Sequence, residues 1–526
     1  AVVAIAAGTG PALAQPGADQ PAPPQPTPPP AAGATPDTAP ASAGADSSAS
    51  VQTVTLGEVL QVAVRQEPSL AKAAIDVAIA DAAVLSAAGI DDWQLQASGS
   101  YNIVRSQGVD SSFGFPFNAA LDTIQLSADI SRSLSTGATI NLHADASLRD
   151  QDITTELGAG QTSESSTETY ENSLRIDVSQ PLLRGRGSAM ARADNRQAAL
   201  QRDAADLQYR NSAMTALRGV IDAYWELAYA VRDLEIRKSS LVLANERLRN
   251  TRISISAGSV AATEILAVEQ TIASREEEVL LAELSISQRS LDLRRLAGLE
   301  IGPGAIDLST SAPLGLSAQP FALDELLARA LANSPQLAAL LVLEKDAEIE
   351  VEVTENGLLP QLDLGLSFGP SGSDTSAGES LKQTVTFDNY SISANLSLTH
   401  SLGNRTARGV RDSARSQLFR QKVDIGDVKA QIASSLVLAV KQAQAAERRV
   451  VLSQRAIELA EKNIEAEQAR FELGRATNFD VLQRQDELKQ AQLRKARATV
   501  DYLVSVSAID SITGALLDKY GVTLDR

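Results

Sequence analysis

Two periods of apolar residues alternate along this chain, and each predicts its own kind of element. Leu234, Leu241, Leu248 and Ile255 are spaced by seven, as are Ile265, Ile272, Val279, Ile286 and Leu293. The same spacing returns at Val450, Ile457, Ile464 and Phe471, then at Val481, Leu488, Lys495, Tyr502 and Ile509, with Lys495 the one break. Heptads sustained over four or five repeats predict coiled-coil helices. Gly258 and Gly474 interrupt them where a helix C-terminus wants a left-handed residue, so each run reads as an antiparallel helical hairpin.

Elsewhere the period is two. Leu95, Ala97, Gly99, Tyr101 and Ile103 interleave with polar residues, as do Leu174, Ile176 and Val178. Leu362, Leu364, Leu366 and Phe368 alternate in the same way, followed by Ile392, Ala394, Leu396 and Leu398. Strands with one apolar face and one small-polar face suit a barrel with lipid outside and water inside. A further alternating pair, Ile124 to Ile130 and Ala138 to Ala146 around Ser135-Thr136-Gly137, predicts an extra hairpin over 123–149. The polar stretches 106–122 and 150–172 read as long loops; the extra hairpin reads either as a member of the barrel, which its short turn between long loops favours, or as an elaboration standing above it on the outer side.

The chain also repeats itself. Leu56, Glu58, Leu60, Ala63, Pro68 and Leu70 recur as Leu323, Glu325, Leu327, Ala330, Pro335 and Leu337, while Gly258 and Gly298 recur as Gly474 and Gly514. Two tandem repeats follow, 53–300 and 322–520, with a linker at 301–321 and a tail at 521–526. The first comprises a helix over 56–92, strands over 94–182 and a helical hairpin over 184–299. The second comprises a helix over 323–357, strands over 361–399 and a hairpin over 404–513. No proline falls between Pro181 and Pro303 or after Pro370, which leaves room for long helices.

Composition then narrows the class. With 44% hydrophobic but only 4% aromatic residues, the chain favours long helices over a compact α/β enzyme. A net charge of −18 argues against nucleic acid. With no cysteine and two histidines, His143 and His400, neither disulfides nor the usual metal sites are expected, and no cofactor motif appears. Residues 1–14 end in Ala12-Leu13-Ala14 and read as the tail of a signal peptide, so the chain is exported. Eleven of the twenty prolines lie in the first forty residues, making 15–52 a disordered tether. No run of about twenty apolar residues is evident, so membrane entry is expected through a barrel rather than a helix.

The duplicated leader, Gln180-Pro181-Leu182, Leu359-Pro360, and above all Phe471-Glu472-Leu473-Gly474-Arg475-Ala476-Thr477-Asn478-Phe479-Asp480-Val481-Leu482 resemble the TolC-type outer-membrane efflux proteins. The resemblance runs from about residue 53 to 520. It implies a mixed α and β membrane protein, a homotrimer whose transmembrane β-barrel continues into an α-helical coiled-coil tunnel across the periplasm. It implies an exit duct in outer-membrane lipid, working with a periplasmic adaptor (membrane fusion) protein and an inner-membrane transporter, and no covalent chemistry. The alternative from a different class is a periplasmic coiled-coil adaptor or scaffold without a pore.

Two sets of residues follow from the resemblance. Glu264 and Asp480, each six residues past its hairpin glycine, map to an acidic ring at the periplasmic aperture. Gln483 stands where the family can place a second aspartate, which makes that ring less negative. Ala257, Gly258, Ser259, Gly474, Arg475 and Ala476 map to hairpin tips where an adaptor docks. Tyr224, Trp225 and Tyr229, at helical spacing, read as packing, and His143 as a residue lining the lumen.

Overall fold

In the computed structural model the described residues are 52–109, 114–158, 160–258, 260–302, 307–311, 314–315 and 319–524. The expected signal-peptide tail 1–14, the tether up to residue 51, and Ser259 lie outside them.

The chain begins with β1 (Gln52–Val54), α1 (Leu56–Gln66) and α2 (Pro68–Ala88), the last extended by a short 3₁₀ turn. Four strands follow, β2 (Gln94–Val109), β3 (Pro116–Ser133), β4 (Thr139–Gly158) and β5 (Gln161–Pro181). A single turn α3 (Ser188–Ala191) leads into the 64-residue α4 (Ala193–Ser256) and α5 (Glu264–Ala297). After β6 (Leu308–Thr310) come α6 (Leu323–Asn333), α7 (Pro335–Asn356), β7 (Gln361–Asp374), α8 (Ala377–Thr386) and β8 (Asn389–Thr399). The 68-residue α9 (Arg405–Glu472), α10 (Asn478–Ile512) and α11 (Leu516–Lys519) complete the order.

The leader motifs act as punctuation. Thr55 and Glu58 form a reciprocal capping box that starts α1. Pro68 and Pro335 stand at the first helical positions of α2 and α7, capped by the side chains of Glu67 and Ser334. A proline has no N–H to continue the preceding ladder, so the single helices expected over 56–92 and 323–357 are each divided there.

At about 1.5 Å per residue, α4 and α9 each run for roughly 100 Å. Each is opposed by two shorter helices stacked end to end: α2 and α5 on α4, α7 and α10 on α9. Every heptad position is buried or half-buried. The break at Lys495 is accommodated because its Nζ donates to Gln454 Oε1 on the facing helix at 2.7 Å. The largest core joins Val54, Leu60, Leu217, Ile221, Leu293, Leu308 and Leu516, with Tyr224 fully buried among them. The linker expected over 301–321 contributes to this core, because β6 pairs in parallel with β1 and buries Leu308.

The remaining strands form one antiparallel sheet in the order β2-β3-β4-β5-β7-β8. The extra hairpin is thus inside the sheet, as β3 and β4. The long loops expected at 106–122 and 150–172 are largely strand instead, with β4 and β5 reaching 20 and 21 residues. Ladder hydrogen bonds satisfy the backbone whatever the side chains are, and polar residues on both faces only mean water on both sides.

Register fixes the two faces. Leu95, Ile130, Leu142, Ile176, Phe368 and Ile392 form one apolar row across all six strands, every one of them exposed. Gln94, Ser131, Asn141, Asp177, Ser367 and Ser393 form a polar row on the opposite face. His143 belongs to that polar face and pairs with Asp129 at 2.6 Å.

One helix corrects an expectation. The stretch Pro68–Asp91, whose most apolar 18 residues reach a mean hydropathy of 1.8, is long and apolar enough to cross a membrane by length and composition. Its alanines hid that character from a search for large apolar residues. Its residues pack along α4, and Ile75, Ile79 and Leu85 point away, exposed.

Candidate functional site at the hairpin tips

The tips are where sequence places function, and their geometry follows from how two helices stop and two start. α4 ends at Ala257, whose N–H donates to Ile253 O, and Gly258 takes φ +70°. α9 ends at Leu473, and Gly474 also takes φ +70° while Arg475 N donates back to Arg470 O at 2.8 Å. These bonds satisfy the last carbonyls of each helix, and glycine supplies the left-handed turn at no steric cost. Around them the tips present Ile253, Leu266, Leu473 and Phe479 to solvent, four apolar side chains that the turn motif alone did not single out.

Glu264 opens α5 and Asp480 lies in the first turn of α10, so both sit at positive helix-dipole ends. Their surroundings differ. Asp480 Oδ2 accepts from Thr477 N at 2.8 Å and from Thr477 Oγ1 at 2.7 Å, and Thr477 Oγ1 accepts from Asp480 N. These bonds, led by the backbone one, hold the Asp480 carboxyl below its ordinary range. Glu264 follows Thr263, which makes no side-chain cap bond.

Just beyond the tips, α5 and α10 face one another across a cleft of about 410 Å³, lined by Thr271, Ser274, Phe479, Leu482 and Gln483 among others. Deeper in, charges close it. Lys489, only 4% exposed along its side chain, bonds Glu278 at 2.9 Å and Asp486 at 2.7 Å, and Glu278 also takes Arg237 from α4. Arg275 is buried and donates to Ser240 O at 2.6 Å, and burial lowers its pKa.

A second cluster joins the two hairpins. Asn478 is fully buried, and its Oδ1 accepts from Arg247 Nε at 2.8 Å and Thr251 Oγ1 at 3.2 Å. Arg247 lies over the Phe471 ring, and desolvation lowers its pKa. Phe471 and Asn478 lie in the motif that carries the resemblance, but the sequence did not single out this cluster as a site. For Arg247 and Lys489 the signal was a charge adjoining a heptad position.

This arrangement offers no reactive constellation among the described residues, and no group of His, Asp and Glu there could hold a metal ion. What it provides is a set of helix ends with charged, cross-braced seams between them.

Comparison with known proteins returns a consistent answer. The family model described as outer membrane efflux protein matches residues 139–299 and 326–515. The first stretch begins at β4, so β2 and β3 fall outside it. Outer membrane efflux protein BepC of Brucella suis is 25% identical over 317 residues, covering 60% of this chain and 66% of BepC, just under two thirds. Outer membrane protein TolC of Vibrio cholerae is 23% identical over 324 residues, covering 60% of this chain and 71% of that one. The crystal structure of the Campylobacter jejuni CmeC outer membrane channel superposes with a TM-score of 0.62 at 14% identity, covering 88% of this chain and 86% of CmeC, a likeness of fold.

Proposed function

The chain belongs to the outer membrane efflux protein family and is a protein of the bacterial outer membrane with its helices in the periplasm; from that premise we propose that three copies form the exit duct of a tripartite efflux or type I secretion system. The duct passively conducts small molecules or proteins handed over by a periplasmic adaptor and an inner-membrane transporter, and performs no covalent chemistry. Each copy is built from two tandem repeats of one helix–strand–helix plan.

The observation that carries this reading is the pair of sheet edges. β2 and β8 are the outer strands of the sheet. The helix leading into β2 exposes Ile75, Ile79 and Leu85, and the helix leaving β8 exposes Val410, Phe419 and Val423. A free strand edge and an apolar helix face on each side are what a neighbouring copy would cover. Cyclic joining of β8 to β2 closes a barrel with the apolar row outside and the polar row lining water. Six strands per copy make that barrel wider than four would, since diameter grows with strand number.

Glu264 and Asp480 form the acidic ring at the aperture, with Gln483 leaving it a single tier. Ala257, Gly258, Ser259, Gly474, Arg475 and Ala476 form the adaptor contact, to which the exposed Leu473 and Phe479 contribute apolar area. The test is purification in detergent followed by planar-bilayer recording. A heat-modifiable trimer giving discrete, cation-preferring openings supports the duct. A detergent-free soluble monomer without conductance would transfer the chain to the adaptor or scaffold class.

A further inference from the structure

The short helix α8 is unexplained by a duct, since β7 and β8 could be joined by a tight turn. Its position is specific. Ser380 and Thr384, one helical turn apart, are buried against the sheet: Ser380 Oγ donates to Gly372 O at 3.0 Å, and Thr384 Oγ1 to Asn172 O at 3.3 Å. Asn172 Nδ2 returns a bond to Ser380 Oγ at 2.9 Å. Gly372 permits this approach, because a Cβ there would stand 1.9 Å from Ser380 O.

Asn172 and Gly372 have the same strand parity as Ile176 and Phe368, so α8 lies on the apolar face of the sheet, not over the polar one. Its exposed side chains divide into two flanks. Leu381 and Val385 lie on one, at 55% and 63% exposure, while Glu379 and Lys382 pair at 2.9 Å on the other. The helix ends on Phe387, a non-glycine at φ 59°, whose ring stacks on Phe368 of the apolar row at 6.1 Å. That strained backbone carries the apolar flank directly into the sheet's apolar surface.

Height is set by the tyrosines. Tyr101, Ile124, Leu148, Tyr170 and Asp374 share one register row, and α8 starts three residues beyond Asp374. Both tyrosine hydroxyls bond a carboxylate, Asp122 and Glu168. Aromatic rings with a polar tip satisfied mark the boundary between hydrocarbon and headgroups. We infer that α8 is a lipid-contacting collar: it lies in the headgroup–acyl boundary of the leaflet remote from the helices, with Leu381, Val385 and Phe387 among the acyl chains and Glu379 and Lys382 toward water.

This rests on the reading of the sheet as membrane-embedded, and the test separates the two. The chain has no cysteine, so single-cysteine variants of the full-length protein take one label each. Leu381→Cys, Val385→Cys, Lys382→Cys, Ile392→Cys and Ser393→Cys, each carrying a bimane fluorophore, would be reconstituted in phosphatidylcholine vesicles containing phosphatidylcholine brominated near the headgroup. Loss of most fluorescence at 381 and 385, with little loss at 382 and 393, is the expected result. Strong quenching at 392 with none at 381 and 385 places α8 in water and overturns the collar alone. No quenching at 392 overturns the membrane reading of the sheet, and the collar with it.

Discussion

The guanidinium carbon of Arg247 stands 3.8 Å from the centroid of the Phe471 ring, tying the long helix of the first hairpin to the last turn of the second. The same guanidinium spends its Nε on Asn478, while Nη2 finds no protein partner. The contact is therefore a brace with a desolvation cost attached. Arg247→Ala removes both the ring contact and one of the two hydrogen bonds to a fully buried amide, a loss of about 1–3 kcal/mol local to the tip. Hydrogen exchange should accelerate through residues 471–482, and single-channel recordings should show larger or more frequent openings. Exchange unchanged from the parent would show that the brace carries no stability.

Asp480 caps α10 in the structure, and its proposed place in the aperture ring can be separated from that cap. Its folded pKa is lowered, so the stability it gives the start of α10 is present above the ordinary aspartate range and lost as pH falls through that range toward the lowered value. Amide exchange at residues 478–484 should rise on acidification below that range, and Asp480→Asn should abolish the pH dependence. Cation preference, by contrast, should fall in Glu264→Ala and Asp480→Ala, with conductance rising. Unaltered selectivity in the double variant would remove both residues from the aperture.

Glu278 bridges Arg237 on α4 and Lys489 on α10. Breaking a buried pair typically costs about 3–5 kcal/mol. Glu278 is 30% exposed along its side chain and Asp486 would still hold Lys489, so Glu278→Ala should cost only about 1–3 kcal/mol. Lys489→Met in the same chain should recover part of that, because a buried ammonium left with Asp486 alone is gone. Denaturant unfolding of the single and double variants measures both.

The glycines with positive φ are not equivalent. A Cβ on Gly298, at φ +71°, would stand 2.4 Å from Gln66 O, whereas one on Gly258, at φ +70°, meets nothing within 4 Å. Gly258→Ala should cost about 1 kcal/mol, the left-handed penalty alone. Gly298→Ala should cost more than about 2 kcal/mol, since α1 must also move. Thermal unfolding distinguishes them, and equal losses would mean the α1 contact yields freely.

The helical seams were legible in the sequence because a helix packed along two neighbours keeps its seven-residue period wherever it runs. The apolar stripe of the sheet was legible for the corresponding reason, with period two. The upper parts of β4 and β5 were not, because a strand wet on both faces loses its alternation. α8 was not either: its buried stripe is Ser380 and Thr384, the reverse of the pattern that marks a packed helix. At the tips, glycine positions and Asp480 could be located from the motif. The Arg247–Asn478 bond joins residues 231 apart, and no local pattern encodes it.

The core that buries Val54 also buries Leu308 and Leu516. A polypeptide crossing the inner membrane from its N-terminus delivers Val54 early and Leu516 last. The N-terminal part of this core therefore waits, with Leu60, Leu217 and Ile221 incompletely covered, until nearly the whole chain has been translocated.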